Sequence, residues 1–356
     1  MRTRWGIADT ELDGTATARH GRGDPLPLSV DTELSLSRAG KSLATVKGRL
    51  ESRGVTTLDL AATFLPDSPG ERRAEGSLRA PTLAGLASGR LADGRLRVFA
   101  PDLAEAWAEL HVLFPSLVVA APEGVDLGGG IRLDVEGTGP LRALRLDAEG
   151  AFDPARGGSL SFRAVADASR RRVEGTVSAS GLSIGTVRPG ATGLASADAT
   201  FTLGPKQRDV RVTLDAAGLC LAEELPFLEA LHATLEADGR ELRIVDLAAT
   251  SPEVPGAGSG LAHLEASGRV SLTEAFRDAD LDAFVSAGEL SAEAHALLRD
   301  GVLALDVPRA GRPGLEAALS ARLPLGALRD VPAVASHLPP GLPEGPLELT
   351  LDAPGF

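Results

Sequence analysis

One serine of this sequence lies in a pattern that hydrolases use to present a nucleophile. Residues Gly181–Gly185 read Gly-Leu-Ser-Ile-Gly, which matches G-x-S-x-G. In such enzymes a helix follows the serine directly, and the hydroxyl is exposed at a sharp strand-to-helix turn. Here Pro189 and Gly190 follow soon after Ser183, and neither residue suits a helix interior. The pattern therefore predicts an ordinary strand with glycine at its ends, and a hydrolase that uses Ser183 is an alternative.

A second pattern has the spacing of a calcium-binding loop. Oxygen donors stand at the loop positions 1, 3, 5, 9 and 12, which here are Asp278, Asp280, Asp282, Ser286 and Glu289. Position 6 is Ala283, although the sharp turn of such a loop requires glycine there. The alternation of Leu281, Ala283 and Val285 fits a strand equally well. The sequence leaves both interpretations open.

The other residues that bind metals or react as nucleophiles are dispersed. The six histidines are His20, His111, His232, His263, His295 and His337. None belongs to an H-E-x-x-H or C-x-x-C pattern. Cys220 is the single cysteine and lies between two leucines, so we expect a buried apolar side chain. The glycine-rich segment Gly256–Gly260 lacks the third glycine of a dinucleotide loop and predicts a flexible turn. We expect no cofactor and no enzymatic activity.

Composition and charge exclude several classes of protein. The 356 residues carry a formal net charge of -13, and the densest run of positive charge is Arg170–Arg172. Nucleic-acid binding requires a clustered basic surface, so we do not expect it. Hydrophobic residues make up 43% of the chain, but aromatic residues make up only 3% and tyrosine is absent. Because aromatic side chains normally supply much of a compact core, the composition favours a thin or elongated one.

Alternation of apolar and polar residues dominates the chain. It recurs in twelve segments: 28–36, 58–64, 131–135, 144–148, 160–164, 199–203, 210–216, 231–235, 264–272, 303–307, 315–323 and 347–351. Such alternation places apolar side chains on one face of a sheet, and strands of this kind are typical of antiparallel sheets. Turn signals, among them Asp238-Gly239 and Asp300-Gly301, separate the strands. The sequence predicts a mainly β protein with antiparallel strands and a few short helical inserts.

Helical periodicity is confined to short segments. We predict a helix over Pro101–Leu113, a weaker one over Leu221–Leu231, and two short ones capped by Thr273 and Ser291, the last continuing to Arg299. The predicted organisation is one continuous array. Its parts are a β-repeat region (1–100), a helical and apolar insert (101–122), a second β-repeat region (123–272), short helices (273–300) and a C-terminal β-repeat region (301–356).

Two sequence elements recur at irregular spacing. The first is a strand that begins with glycine, as in Gly48–Ser52, Gly76–Ala80, Gly175–Ala179 and Gly268–Leu272. The second is a hairpin of the form Ala-Asp-Gly-Arg, seen in Leu91–Val98 and Leu235–Ile244. In these elements the chain resembles AsmA-like proteins, a superfamily that includes the TamB-type assembly proteins. The resemblance extends over most of the chain and is strongest from about Ala195 to Leu272.

The resemblance implies a location and a cargo. Proteins of this type form an elongated, curved antiparallel β-sheet that makes an open groove in the envelope of Gram-negative bacteria. They are anchored in the inner membrane and are thought to conduct phospholipid towards the outer membrane. The implied location is the periplasm, and the implied partners include proteins of the inner and outer membranes. The first residues of the chain carry positive charge without an apolar stretch behind them, so they do not form a signal peptide. We therefore expect the anchor to lie outside this chain, which would be a fragment of a longer protein.

The physical pattern agrees with a lipid groove. A sheet with one apolar face requires a cover, and few helices are predicted to supply one. An acyl chain would gain about 0.8 kcal/mol for each CH₂ group that it buries. The predicted lipid-facing residues are Val210, Val212, Leu214, Leu231, Leu235, Leu264, Val270 and Leu272. The alternative is a secreted or surface β-repeat protein, such as an adhesin-like stalk, that carries no lipid.

Overall fold

The computed structural model describes residues 5–7, 10–22, 27–38, 41–64, 72–113, 127–140, 143–186, 190–220, 227–252, 261–272, 278–312, 314–330 and 342–353. The chain divides into two compact units. Unit 1 comprises Met1–Leu182 with Leu203–Pro205, and unit 2 comprises Ser183–Thr202 with Lys206–Phe356.

Unit 1 is a meander of antiparallel strands. They are β1 (Trp5–Ile7), β2 (Thr10–His20), β3 (Leu28–Arg38), β4 (Lys41–Arg53), β5 (Val55–Phe64), β6 (Arg72–Ala80), β7 (Asp93–Ala100), β8 (Gly129–Thr138), β9 (Arg145–Pro154), β10 (Ser159–Asp167) and β11 (Arg172–Ser183). Each strand pairs with the next along the chain. Short turns suffice for such connections, because antiparallel neighbours need no crossover.

Unit 2 repeats this arrangement. Its strands are β12 (Thr192–Leu203), β13 (Arg208–Cys220), β14 (Leu228–Ala237), β15 (Glu241–Ser251), β16 (Ala262–Ser271), β17 (Asp278–Ala287), β18 (Leu290–Arg299), β19 (Val302–Arg312), β20 (Leu315–Pro324) and β21 (Glu348–Asp352). From β13 onward each strand pairs antiparallel with the next. The predicted turn at Asp300-Gly301 is confirmed, since both residues have positive φ as a tight hairpin requires.

Two α-helices occur in the described residues, and both belong to unit 1. The helix α1 (Leu83–Ala87) was not predicted. It begins at Thr82, whose hydroxyl accepts a hydrogen bond from the Gly85 amide at 2.9 Å. The helix α2 (Leu103–Leu113) confirms the predicted helix, and the carboxylate of Asp102 accepts a bond from the Glu105 amide at 3.0 Å. In the part of the chain that is described, neither helix has the length and apolarity needed to cross a membrane.

The helix predicted from Ser291 to Arg299 is wrong, whereas the short helix predicted from Glu274 to about Asp278 lies outside the described residues except for Asp278. Residues 278–287 and 290–299 form the strands β17 and β18. The pairing of each strand on both sides outweighs local helix propensity, which is only a weak signal. The weaker helix over Leu221–Leu231 is also wrong at its C-terminal end, where β14 begins at Leu228. Residues 221–226 and 273–277 lie outside the described residues.

The buried core consists of small side chains. In the described part of the chain, the buried hydrophobic residues are eleven alanines together with Leu219 and Val307. Large apolar side chains lie on the sheet faces and stay partly accessible. The prediction of a mainly β, antiparallel sheet with short helical inserts and a thin core is thus confirmed.

Candidate functional site

The strand register of unit 1 aligns apolar residues into rows that cross the sheet. Antiparallel partners lie on the same face, so a chain of partners traces a row. The middle row crosses ten strands: Ala16, Thr32, Gly48, Leu60, Gly76, Leu96, Val135, Ala148, Ala164 and Gly175. On one side lie Gly14, Leu34, Val46, Ala62, Ala74, Val98, Leu133, Gly150, Phe162 and Val177, and on the other Ala18, Val30, Leu50, Leu58, Leu78, Gly94, Gly137, Leu146, Ala166 and Val173. These three rows define the apolar face of unit 1, and Thr32 is their only polar residue.

Unit 2 has an apolar face of the same kind. One row crosses nine strands through Val212, Leu235, Ile244, Gly268, Leu281, Ala296, Leu305, Ala321 and Leu349. A second row begins at Val210 and passes through Leu298. A third begins at Leu214 and reaches Ala294, and a fourth begins at Ala216 and reaches Ala317. No residue of these four rows is charged or hydrogen-bonding in its side chain.

The predicted lipid-facing residues fall on this face with one exception. Val210, Val212, Leu214, Leu231, Leu235, Leu264 and Val270 all lie in its rows. Leu272 follows the last residue of β16, and its amide donates to the Arg240 carbonyl at 2.7 Å. The register therefore places seven of the residues together, and that they contact lipid stays a prediction.

Bulges keep the apolar face continuous where the sequence changes phase. In β15 the face residues are Leu242 and Ile244 and then Leu247 and Ala249, so their numbers change from even to odd. The register shifts between Ile244 and Leu247, which is the mark of a bulge. A second shift between Val307 and Ala310 has the same effect in β19. Sequence reasoning missed both shifts, although the adjacent apolar pair Ile244-Val245 signals the first.

Both apolar faces are accessible and larger than one acyl chain. Leu60 and Leu96 of unit 1 and Val285 of unit 2 are each about 40% exposed. Neighbouring strands lie about 4.8 Å apart, so ten strands extend roughly 43 Å. The hydrocarbon core of a bilayer, which holds two acyl chains end to end, is about 30 Å thick. Each face thus offers an extended apolar surface without a charged side chain in its rows.

The opposite faces are polar, and ion pairs connect neighbouring strands across them. Representative pairs are Lys47–Glu33 (3.6 Å), Arg49–Asp31 (3.6 Å), Arg211–Glu236 (3.2 Å), Arg269–Asp280 (3.6 Å) and Arg309–Glu316 (3.4 Å). In unit 1 the Asp134 carboxylate accepts bonds from Arg95 and Arg97, and these contacts hold its pKa below the usual range. These charges are exposed and solvated, so they contribute little stability individually.

The described depressions lie over the polar faces. One in unit 1 has a volume of about 700 Å³, and Asp31, Lys47, Arg49, Asp59 and Arg95 are among its lining residues. A depression of about 590 Å³ in unit 2 is lined by Asp246, Glu265, Asp282, Glu293 and His295, among others. Both are shallow and open. Sequence reasoning did not anticipate concavity on the polar side.

Two histidines on the polar face of unit 2 have carboxylate neighbours. His232 Nδ1 lies 2.7 Å from Asp215 Oδ1, and this hydrogen bond raises the pKa of His232. His295 Nδ1 lies 2.8 Å from Asp282 Oδ1, which likewise raises the pKa of His295. Both side chains are solvated, so the effect is on charge state rather than on buried structure.

One charged residue lies at the margin of the apolar face of unit 1. Arg72 pairs in register with Phe64, and its side chain is 4% exposed. Its guanidinium donates to the carboxylate of Glu105 on α2. This ion pair ties the helix to the first residue of β6. The Glu105 carboxylate thereby offsets part of the cost of burying the Arg72 guanidinium.

The calcium-loop hypothesis is wrong for the described residues. Asp278, Asp280 and Asp282 lie along the extended strand β17, and Glu289 lies in the turn after it. The Asp280 carboxylate lies 3.6 Å from both Arg269 and His295. In the described residues no group of three or more potential ligands is positioned to hold a metal ion.

The remaining predicted sites are also placed by the structure. Ser183 is the last residue of β11, and a three-residue 3-10 turn, Ile184–Thr186, follows it. This confirms a strand that ends in glycine-rich sequence rather than a strand-to-helix elbow. Cys220 ends β13 and is half-buried, not buried as predicted. Gly256–Gly260 and His337 lie outside the described residues.

Comparison with models of protein families, with curated proteins and with solved structures finds no match to this chain.

Proposed function

We propose that this chain binds the acyl chains of phospholipids along its two apolar faces and carries phospholipid in a bacterial cell envelope. The observation that carries the proposal is that each unit has long apolar rows that contain no charged residue and whose large side chains stay partly exposed. Monomeric soluble proteins rarely leave contiguous apolar surface of this extent uncovered. An acyl chain is a chemically fitting cover for it.

The energetics favour a mobile guest. Each CH₂ group removed from water contributes about 0.8 kcal/mol, so a long acyl chain gains substantial free energy at any point along a row. The rows contain no charged side chain that would fix a headgroup at one place. Lateral movement therefore breaks no specific contact, as transport requires.

The AsmA-like and TamB-type resemblance extends this proposal. We place the protein in the periplasm, as part of a longer protein that is anchored in the inner membrane. Its function is then to carry phospholipid between the two membranes or to assist outer-membrane biogenesis. Inner- and outer-membrane proteins are the corresponding partners.

The test is to purify the chain from a Gram-negative host, extract it with organic solvent and quantify phospholipid by mass spectrometry. We expect co-purified phospholipid in wild type. Ala266→Lys introduces a charge on the apolar face of unit 2, whereas Ser267→Lys introduces the same charge next to it on the polar face. Lipid should fall in the first variant and persist in the second. Lipid-free wild type, or equal loss in both folded variants, would reject the proposal.

A surface β-repeat protein without lipid cargo is the second candidate. The cross-strand ion pairs along both polar faces favour it, since such contacts suit a solvated structural sheet. A lipid-free chain that is monodisperse in detergent-free buffer would support this function instead.

A further inference from the structure

A phenylalanine lies on the polar face of each unit. Phe99 in β7 follows Val98, which belongs to the apolar face of unit 1, so the Phe99 side chain lies on the opposite face. Phe99 is 41% exposed. Phe284 in β17 stands between Ala283 and Val285 of the apolar face of unit 2, and it is half-buried on the polar side. Aromatic side chains are enriched at protein interfaces, so both rings are candidates for contact with a partner.

The cross-strand partners of the two rings have opposite charge. In unit 1 the ring has an arginine directly opposite it on each neighbouring strand, and in unit 2 it has a glutamate on each. We call these trios the basic row and the acidic row, and they are Arg73, Phe99 and Arg132 and Glu265, Phe284 and Glu293. Since neighbouring strands lie about 4.8 Å apart, the two like charges of each row are separated by about 10 Å. The two rows therefore have the same spacing and complementary charge.

One charge in each row has no ionic partner among the described residues. The two charges that do have one are Arg73, which contacts Glu75, and Glu265, whose Oε1 lies 2.9 Å from His263 Nε2. The other two, Arg132 and Glu293, are exposed. No ion pair joins either of them to another residue in the described part of the chain. Arg309 stands opposite Glu293 in β19, but it pairs with Glu316 at 3.4 Å.

The surroundings of the acidic row favour a cationic partner. The row lies in the depression of about 590 Å³ in unit 2, and the carboxylates of Asp246, Asp282 and Asp306 line the same depression. A concave surface with charges of one sign attracts a partner of the opposite sign and selects its orientation. Because Phe99 is the more exposed of the two rings, it suits insertion beside the half-buried Phe284.

We propose that the basic row of one copy of this chain docks on the acidic row of a second copy. The two rings meet at the centre, and Arg132 faces Glu293, so each charge without an ionic partner gains one. A second copy is the fitting occupant because this chain carries both halves of the contact with the same spacing. Two different surfaces meet, so the association leads to rings or open chains rather than to a two-fold dimer. It uses only the polar faces and is independent of lipid binding.

The test is sedimentation velocity of the full chain over a series of concentrations. Wild type should form oligomers whose size increases with concentration. Arg132→Glu and Glu293→Arg should each weaken self-association by at least about tenfold, because like charges then meet at the contact. Both positions are exposed, and circular dichroism checks that the variants fold. Asp59→Arg, a charge reversal at an exposed position on the polar face of unit 1 outside the basic row, should associate as wild type does.

Mixing the two single variants identifies the contact. Each reversed charge then meets its complement on the other variant, so the mixture should recover the association that each variant lacks alone. The double variant Arg132→Glu/Glu293→Arg should recover it for the same reason, and Phe99→Ala should weaken it. A wild type that is monomeric throughout the series would overturn the proposal. So would single variants that associate like wild type, or a mixture that stays monomeric.

Discussion

Gly150 lies directly opposite Phe162 in the β9–β10 pair, and the aromatic ring occupies the place of a side chain at position 150. A Cβ atom built on Gly150 would lie 2.3 Å from the ring. Leucine side chains also lie over glycines elsewhere on the face: a Cβ atom built on Gly94 would lie 2.7 Å from the Leu78 side chain. Glycine on the apolar face of unit 1 thus gives room for a large neighbour to lie flat on the backbone.

Replacing Gly150 with alanine should destabilise unit 1 by about 1 kcal/mol. This is the low end of the cost of overpacking, since the ring of Phe162 is on an accessible face and can move outward. The measurement is the free energy of unfolding from a urea titration. Gly150→Ala combined with Phe162→Leu should recover part of the loss.

Gly76→Ala is the matched control. A Cβ atom there would meet its nearest neighbours at 3.7 and 3.9 Å, which is ordinary contact. We expect stability to be unchanged or raised by up to about 1 kcal/mol, because alanine restricts the unfolded chain. Equal destabilisation by both substitutions would contradict the role assigned to Phe162.

Glu105→Gln should destabilise the protein by about 2 kcal/mol and loosen α2. It removes a carboxylate that the buried guanidinium of Arg72 contacts, and breaking an ion pair costs about 3–5 kcal/mol when both partners are buried. The smaller value is expected because the Glu105 side chain is 63% exposed. Urea unfolding gives the free energy, and hydrogen exchange at α2 gives the local effect.

The adjacent ion pair provides the comparison for Glu105. Arg73 contacts Glu75 on the polar face, and these side chains are 52% and 40% exposed. Glu75→Gln should change stability by no more than about 0.5 kcal/mol. Equal effects of Glu75→Gln and Glu105→Gln on the free energy of unfolding would contradict the importance of the Arg72–Glu105 contact.

The imidazoles of His232 and His295 should titrate above the ordinary value of about 6.5. Asp215 and Asp246 face His232, and Asp280, Asp282 and Asp306 face His295, so their charges favour the imidazolium forms. The measurement is a proton NMR titration of the side chains. Asp215→Asn should lower the pKa of His232 and leave that of His295 unchanged, and Asp282→Asn should do the reverse.

These raised pKa values give a definite direction for stability. Since the folded protein binds each proton more tightly than the unfolded chain, the stabilisation is fully present below about pH 6.5 and is lost as the pH rises through the folded values. Chemical unfolding at several pH values should show this loss, and it should shrink in the Asp215→Asn/Asp282→Asn variant. If the variant lost as much stability with rising pH as the wild type does, titrating groups other than His232 and His295 would be responsible for the loss.

Leu60→Glu should reduce binding of a fluorescent phospholipid to the full chain, whereas Ala61→Glu should not. The two residues are adjacent in β5 but lie on opposite faces. Leu60 is 40% exposed, so a carboxylate there stays hydrated without unfolding the sheet, yet it would meet the acyl chain directly. Circular dichroism should confirm that both variants fold. Equal affinity of both variants for the lipid would exclude the apolar face of unit 1 as the binding surface.

Local pattern predicted the strands more reliably than the helices. Val210–Ala216 and Leu315–Leu323 alternate over many residues, and both form strands. The segment after Ser291 has a capping residue and good helix formers, yet it is the strand β18. Its pairing with β17 and β19 was not visible from local propensity, because those partners are set by the order of the whole meander.

The sequence by itself determined which residues share a face within a strand, because alternate side chains in an extended chain point to opposite sides. It thereby indicated an antiparallel sheet with one apolar side and identified seven residues that lie together. Only the tertiary structure decided the cross-strand partners, such as Phe162 over Gly150, and the bulge that returns Leu247 to the apolar face. Those relationships depend on the register between strands, and a change of one residue in register reverses every face.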